Sequence, residues 1–242
     1  MREDKRTVNE LRKINFKTNF IKYPEGSVLI EWGGTKVLTN VSVEDSVPHF
    51  LRGRNEGWIT AEYSMLPRAT QDRNIRESRK GKLSGRTMEI QRLIGRSLRG
   101  VIDRKEIGER TLWIDCDVLQ ADGGTRVASI TSSFVAAYIA LTKLKKENKI
   151  DSFPVDKFLA AVSVGIVDGK PMLDLCYGED SSAEVDLNVV MTGESELIEI
   201  QGTAEGSPFS KKQLDEMLEL AEKGIKEIIN LQRQVIFENE QK

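Results

Sequence analysis

Residues 125–148, "TRVASITSSFVAAYIALTKLKKEN", read as a helix that is apolar nearly all round until its lysine-rich end. Such a helix has no face to give to water and has to be buried on every side. The rest of the chain must supply the layers that cover it. At 242 residues there is enough chain to bury a substantial core, as one large domain or two small ones.

The segments around this helix change period in a regular order. Ile14, Phe16, Thr18 and Phe20 alternate with polar residues, as a half-buried strand does. "SVLIEWG" and "TKVLTNVSVED" follow across a glycine pair that reads as a hairpin turn, and "GWITAEYSML" is a further strand. In "TMEIQRLIGRSLRGVID" the spacing becomes helical, with Ile90, Leu93, Ile94, Leu98, Val101 and Ile102 on one face and Arg92, Arg96 and Arg99 on another. We read that arginine stripe as a solvated or inter-subunit face. "RTLWIDCDVLQ" returns to strand and leads into the apolar helix.

"KIDSFPVDK" (149–157), with a proline inside it, is the best linker candidate. Beyond it "FLAAVSVGIVDG", "KPMLDLCYG", "EVDLNVVMTG" and "ELIEIQGTAEG" favour strands, and the last segment is one long helix. Ser210 and Gln213 make a capping box at its start, and Leu214, Met217, Leu218, Ala221, Ile225, Ile228, Val235 and Ile236 form its apolar stripe. The predicted class is α+β: two halves, 1–150 and 151–242, each a sheet covered by helices.

Charge is unevenly spread. Arg68–Arg99 holds ten Lys or Arg against three acids, whereas Asp174–Lys242 holds sixteen acids against six bases. The basic block suits a polyanion, a solvated face or an oligomer contact. Arg68–Lys82 is mostly polar and reads as a mobile loop. The N-terminus, "MREDKRTVNELRK", lacks the apolar stretch of a signal peptide, and no apolar run reaches the roughly 20 residues of a membrane span. The two cysteines, Cys116 and Cys176, form no metal-like spacing or disulfide framework, so a cytoplasmic protein is expected, with no membrane partner.

Much familiar chemistry is excluded. The single histidine, His49, beside Pro48, reads as structural, which removes Ser-His-Asp and Cys-His mechanisms. A Cys/His zinc site fails by count, and no "GxxxxGK[ST]" occurs. Catalysis would have to rest on arginine, carboxylate, hydroxyl, backbone N–H and a hard metal ion. Those materials cluster twice. In "ADGGTR" a strand, a glycine pair and a helix start bring unpaired N–H groups, the Thr125 hydroxyl and the Arg126 charge together, which is either a tight turn or an anion seat. In "GEDSSAEVDLN" a bend at "SSA" brings Asp180 and Asp186 together, as a solvated acidic loop or as a pair suited to Mg²⁺. Anion seat, carboxylate pair and basic stretch together fit phosphoryl transfer on nucleic acid, with phosphate as the attacking group.

"GWITAEYSMLPRAT", "SGRTMEIQRLIGRSLR", "CDVLQADGGTR", "DLCYGEDSSAEVDLNVVMT" and "EIQGTAEG" resemble the ribonuclease PH family of phosphate-dependent tRNA 3′-processing exoribonucleases, almost end to end. The resemblance implies a two-part α+β fold of the ribosomal protein S5 domain 2-like type and a homohexameric ring, a trimer of dimers. It implies that RNA, typically a tRNA precursor 3′ end, reacts with inorganic phosphate to give shortened RNA and a nucleoside diphosphate, reversibly. Arg86 in "SGRT" matches the family's phosphate-binding arginine, and Gly124, Thr125 and Arg126 match its phosphate loop. Asp180 and Asp186 match the aspartates that hold Mg²⁺, with Mn²⁺ as a substitute, and serve acid catalysis. Arg68, Arg73 and Arg76 lie in the stretch that contacts tRNA or builds the ring. Asn188 stands where the related polynucleotide phosphorylases often carry lysine. A non-catalytic RNA-threading ring subunit and a hydrolytic metal-dependent nuclease are the alternatives.

Overall fold

Alternating strands joined by short turns build the first layer. The structure is a computed structural model that describes residue 2 and residues 4–241. Strands β1 (Ile14–Thr18), β2 (Gly26–Trp32), β3 (Thr35–Glu44), β4 (Trp58–Met65) and β5 (Thr111–Gln120) form one sheet in the order β1-β2-β3-β5-β4. Its pairs are antiparallel except β4 with β5, which run parallel. A parallel pair needs a long crossover. Here the crossover carries the one-turn helix α1 (Glu77–Lys80), the long helix α2 (Gly85–Arg99) and the short helix α3 (Arg104–Ile107). Ser84 caps α2 by accepting from the Thr87 N–H, and the apolar face of α2 packs on β4.

The second sheet, β7-β6-β8-β9, is antiparallel throughout and comprises β6 (Leu159–Val167), β7 (Lys170–Leu173), β8 (Val185–Thr192) and β9 (Leu197–Ala204). Asp168 and Gly169, both with positive φ (50° and 67°), join β6 to β7, the two-residue turn that fits a twisted hairpin. A one-turn helix, α5 (Tyr177–Asp180), precedes β8.

Helix α4 (Thr125–Lys146) lies between the two sheets, against β2, β3 and β5 on one side and β6 on the other. Its sequence left no choice, and its buried Ser129, Thr131, Ser132 and Ser133 hydrogen-bond inside the core. By length and mean hydropathy (1.4 over 18 residues) α4 would pass for a membrane span, contrary to the expectation that no run is that apolar. Protein rather than lipid covers it. Helix α6 (Lys211–Glu240) covers the far face of the second sheet, so all nine residues of β6 are buried. The Ser210–Gln213 capping box forms as expected. Within the apolar stripe sits a polar residue that the periodicity did not single out: fully buried Gln232 donates to the carbonyls of Thr131 and Leu159, tying α6 to α4 and β6.

One hydrophobic cluster runs through both sheets. The 149–157 stretch is fastened rather than free: Ile150 is buried, Val155 bridges to Ile102, and the Asp103 N–H donates to Pro154 at 2.8 Å.

Candidate active site

Between β5 and α4 only Ala121–Gly124 reverse the chain. Gly123 and Gly124 take φ of 75° and 66°, a region that side chains with a Cβ avoid. At Gly123 space gives a second reason: a Cβ would stand 2.6 Å from the Leu175 carbonyl oxygen and 2.9 Å from the Tyr177 nitrogen. The glycine turn therefore lies directly on the β7–α5 connection of the other sheet. The Thr35 hydroxyl fastens it, donating to the Gly123 carbonyl (2.7 Å) and accepting from the Asp122 N–H (2.9 Å). Among the described residues no side chain caps α4, which leaves its first N–H groups without a side-chain acceptor. Thr125, its first residue, is buried, with its hydroxyl 2.9 Å from that of Tyr63.

A cavity of about 500 Å³ opens at this turn and brings together Arg86, Gly124, Thr125, Arg126, Asp180 and Asp186, with Asn188 in its wall. Arg86 reaches it from the first turn of α2, Asp180 from the end of α5 and Asp186 from the start of β8. Arg126 is held in place by donating to Gln201 (2.5 Å) beside Glu89 (3.6 Å), and Gln201 in turn donates to Glu89 at 2.9 Å.

Burial and then the nearby Asp180 charge push Asp186 up to about 6. Burial also raises Asp180, against the pull of Arg126 and Arg86. The Asn188 amide donates weakly to Asp186 Oδ2 at 3.4 Å, while Oδ1 is buried with no hydrogen-bond partner. A bare buried carboxylate oxygen beside a second carboxylate fits a hard cation that takes one or two protein ligands and keeps its waters. Among the described residues, no group of three or more His, Cys, Asp or Glu is set as a fuller cage.

Arg68, Arg73 and Arg76 lie outside this cavity, exposed on the loop after β4; from that loop Thr70, Gln71, Asp72 and Asn74 reach the wall instead. The loop is folded, with Thr70 bonded to Asp72 and Asn74 and a short helix at 77–80. Of the arginine stripe, Arg96 pairs with Glu199 (2.5 Å), and Arg99 donates to the Ile59 carbonyl while stacking 4.7 Å over Trp58. Arg99 is thus tied to its own chain rather than solvated. His49 sits exposed on a short turn away from the cavity.

The sequence reading missed what stands behind the site. Asp174, fully buried, accepts from the Arg12 backbone N–H (2.6 Å), from the Arg12 guanidinium (2.7 Å) and from the Trp32 indole (2.9 Å). Arg12 also donates to the Asp122 carbonyl of the glycine turn, and its guanidinium lies under Gly124. Burial works against the Arg12 charge, but Asp174 overrides it and raises Arg12. The available signal was a charged residue inside an apolar run, "PMLDLC".

Comparison with known proteins gives the family. Residues 10–144 match the first domain and residues 157–224 the second domain of the 3′ exoribonuclease family. The ribonuclease PH of Bacillus pumilus is 61% identical over 239 residues, covering 98% of this chain and 99% of the relative. That of Bacillus subtilis is 62% identical over 237 residues, covering 98% and 97%. In fold, the chain is similar to a chain of the Archaeoglobus fulgidus exosome, in a structure with RNA bound to the exosome active site (TM-score 0.78, 22% identity, 95% of this chain and 91% of that one). It is also similar to a chain of an archaeal exosome core (TM-score 0.70, 22% identity, 97% and 89%). Both family domains matched in order, and relatives about 60% identical over nearly the whole chain, lead to one conclusion: the chain belongs to the ribonuclease PH branch of the 3′ exoribonuclease family, phosphorolytic nucleotidyltransferases that process tRNA.

Proposed function

We propose that the cavity is where this phosphorolysis takes place, with inorganic phosphate seated on Gly124, Thr125, Arg126 and Arg86, and with Asp180 and Asp186 holding Mg²⁺ or, in its place, Mn²⁺. The observation that carries the reading is the meeting in one cavity of both arginines, the uncapped start of α4 and a carboxylate oxygen left bare.

Inorganic phosphate is already anionic near neutral pH, so it needs positioning and charge compensation more than a general base. Two guanidinium groups offer charge-assisted hydrogen bonds of roughly 1.5–3 kcal/mol each. They hold one anion against another, the last phosphodiester of the RNA. A phosphate oxygen attacks that phosphorus, and the bond to the 3′ oxygen of the preceding nucleotide breaks. The last nucleotide leaves as a nucleoside diphosphate, and the freed 3′ oxygen takes a proton. A carboxylic acid of this pair can supply that proton. The bound divalent ion would neutralise charge on the departing oxygen. Because the product keeps a phosphoanhydride bond, excess diphosphate and scarce phosphate drive nucleotide addition.

In this reading residues 1–150 bring the phosphate seat and residues 151–242 the carboxylate pair. Arg68, Arg73 and Arg76 serve RNA phosphates, such as those of a tRNA precursor near its 3′ end, or a neighbouring subunit of a six-membered ring in the cytoplasm. Product analysis on an RNA with a 3′ tail tests it. Nucleoside diphosphates are expected only when phosphate is added. Monophosphates released regardless would mean hydrolysis, and no product with RNA still bound would mean a non-catalytic, RNA-threading ring subunit.

A further inference from the structure

Asp180 is the last residue of a one-turn helix, and a single turn has no stability of its own. Something outside α5 has to fix it. The neighbour of Asp180 in sequence, Glu179, turns its carboxylate away from the cavity and onto the N-terminal arm. Arg2 grips it with two charge-assisted bonds, 2.6 Å from Nε and 2.7 Å from Nη2. The same carboxylate accepts from the Cys176 N–H at 3.0 Å, closing the turn from its start. Arg2 is itself buried and donates to the carbonyls of Leu173 (2.8 Å) and Asp174 (2.7 Å). Arg6 adds a bond to the Asp174 carbonyl at 3.1 Å. The arginine contacts join residues more than 160 positions apart, and all converge on the seven residues before Asp180.

We infer that the N-terminal arm is a positioning element of the active site, in which Arg2, through Glu179, sets where the Asp180 carboxylate stands. The inference rests on the reading of Asp180 and Asp186 as a cation site. Neither Arg2 nor Glu179 lines the cavity; they act through α5, as the partners behind metal ligands do.

The test is direct Mn²⁺ binding, followed by the resonance signal of the free ion, in the full-length wild-type chain and in the Arg2→Ala and Glu179→Gln variants. Each variant is expected to weaken Mn²⁺ on the order of tenfold or more. The phosphate KM, measured at saturating metal, should stay within about twofold of wild type, because the glycine turn keeps its own fastenings to Thr35 and Arg12. If Arg2→Ala does not fold, Arg2→Lys, which keeps charge but loses the two-pronged grip, should show a smaller loss. Wild-type affinity in folded variants would overturn the inference and leave the arm as scaffold. An Asp180→Asn control separates the two levels: if it too binds Mn²⁺ like wild type, the cation site itself is misassigned.

Discussion

At the scale of single residues, the site keeps features a purely stable protein would discard. Asp186 is the clearest: half-buried, beside another carboxylate, one buried oxygen without a partner, and raised to about 6. A carboxyl whose folded value exceeds its unfolded one binds its proton more tightly in the folded state. Its contribution is therefore fully present below about pH 4 and lost as pH rises through about 6. Asp186→Asn should accordingly stabilise the metal-free chain at pH 7 by on the order of 2 kcal/mol, with the gain vanishing near pH 3.5 and activity lost throughout. Thermal or denaturant unfolding across that pH range checks it; a variant that is less stable at pH 7 would refute the desolvated-carboxylate account. Asp174, more deeply buried, differs because Arg12 and Trp32 satisfy it.

Secondary-structure elements show which parts of the design were legible from sequence. The all-apolar α4, the capped α6 and the strand–glycine–helix motif each follow from local period and turn chemistry, and each forms. The sequence leaves the glycine pair as a tight turn or an anion seat; the structure adds that Gly123 lets the turn sit against Leu175–Tyr177. Gly123→Ala should therefore cost about 1–3 kcal/mol of stability from left-handed strain and backbone contact. It should also raise the phosphate KM, which a stability loss alone would not do; steady-state kinetics beside an unfolding curve separates the two. The fastenings behind the turn were invisible, because Arg12 with Asp174, Arg2 with Glu179, and Glu89 with Gln201 and Arg126 pair across long separations. A side chain that answers a distant partner leaves no period to detect. Arg86 and the "GGTR" turn could be placed on their elements by pattern, and their convergence with Asp180 and Asp186 came through family resemblance rather than spacing.

Over the whole molecule, one core unites two sheets around α4, and the cavity forms where the start of that helix meets the second sheet. Helix α4 links the two tasks we propose: the anion seat of that reading lies at the β5–α4 turn, and Asp180 and Asp186 come from α5 and β8. Damage to one task should then be separable from damage to the other. The most direct measurement is the phosphate dependence of RNA shortening by an Arg126→Ala variant, with RNA and Mn²⁺ affinities determined alongside. The phosphate KM should rise roughly ten- to a hundredfold, the equivalent of one lost charge-assisted contact, while Mn²⁺ binding and RNA binding hold near wild type. An unchanged phosphate KM, with the protein folded and active, would mean that the attacking phosphate sits elsewhere.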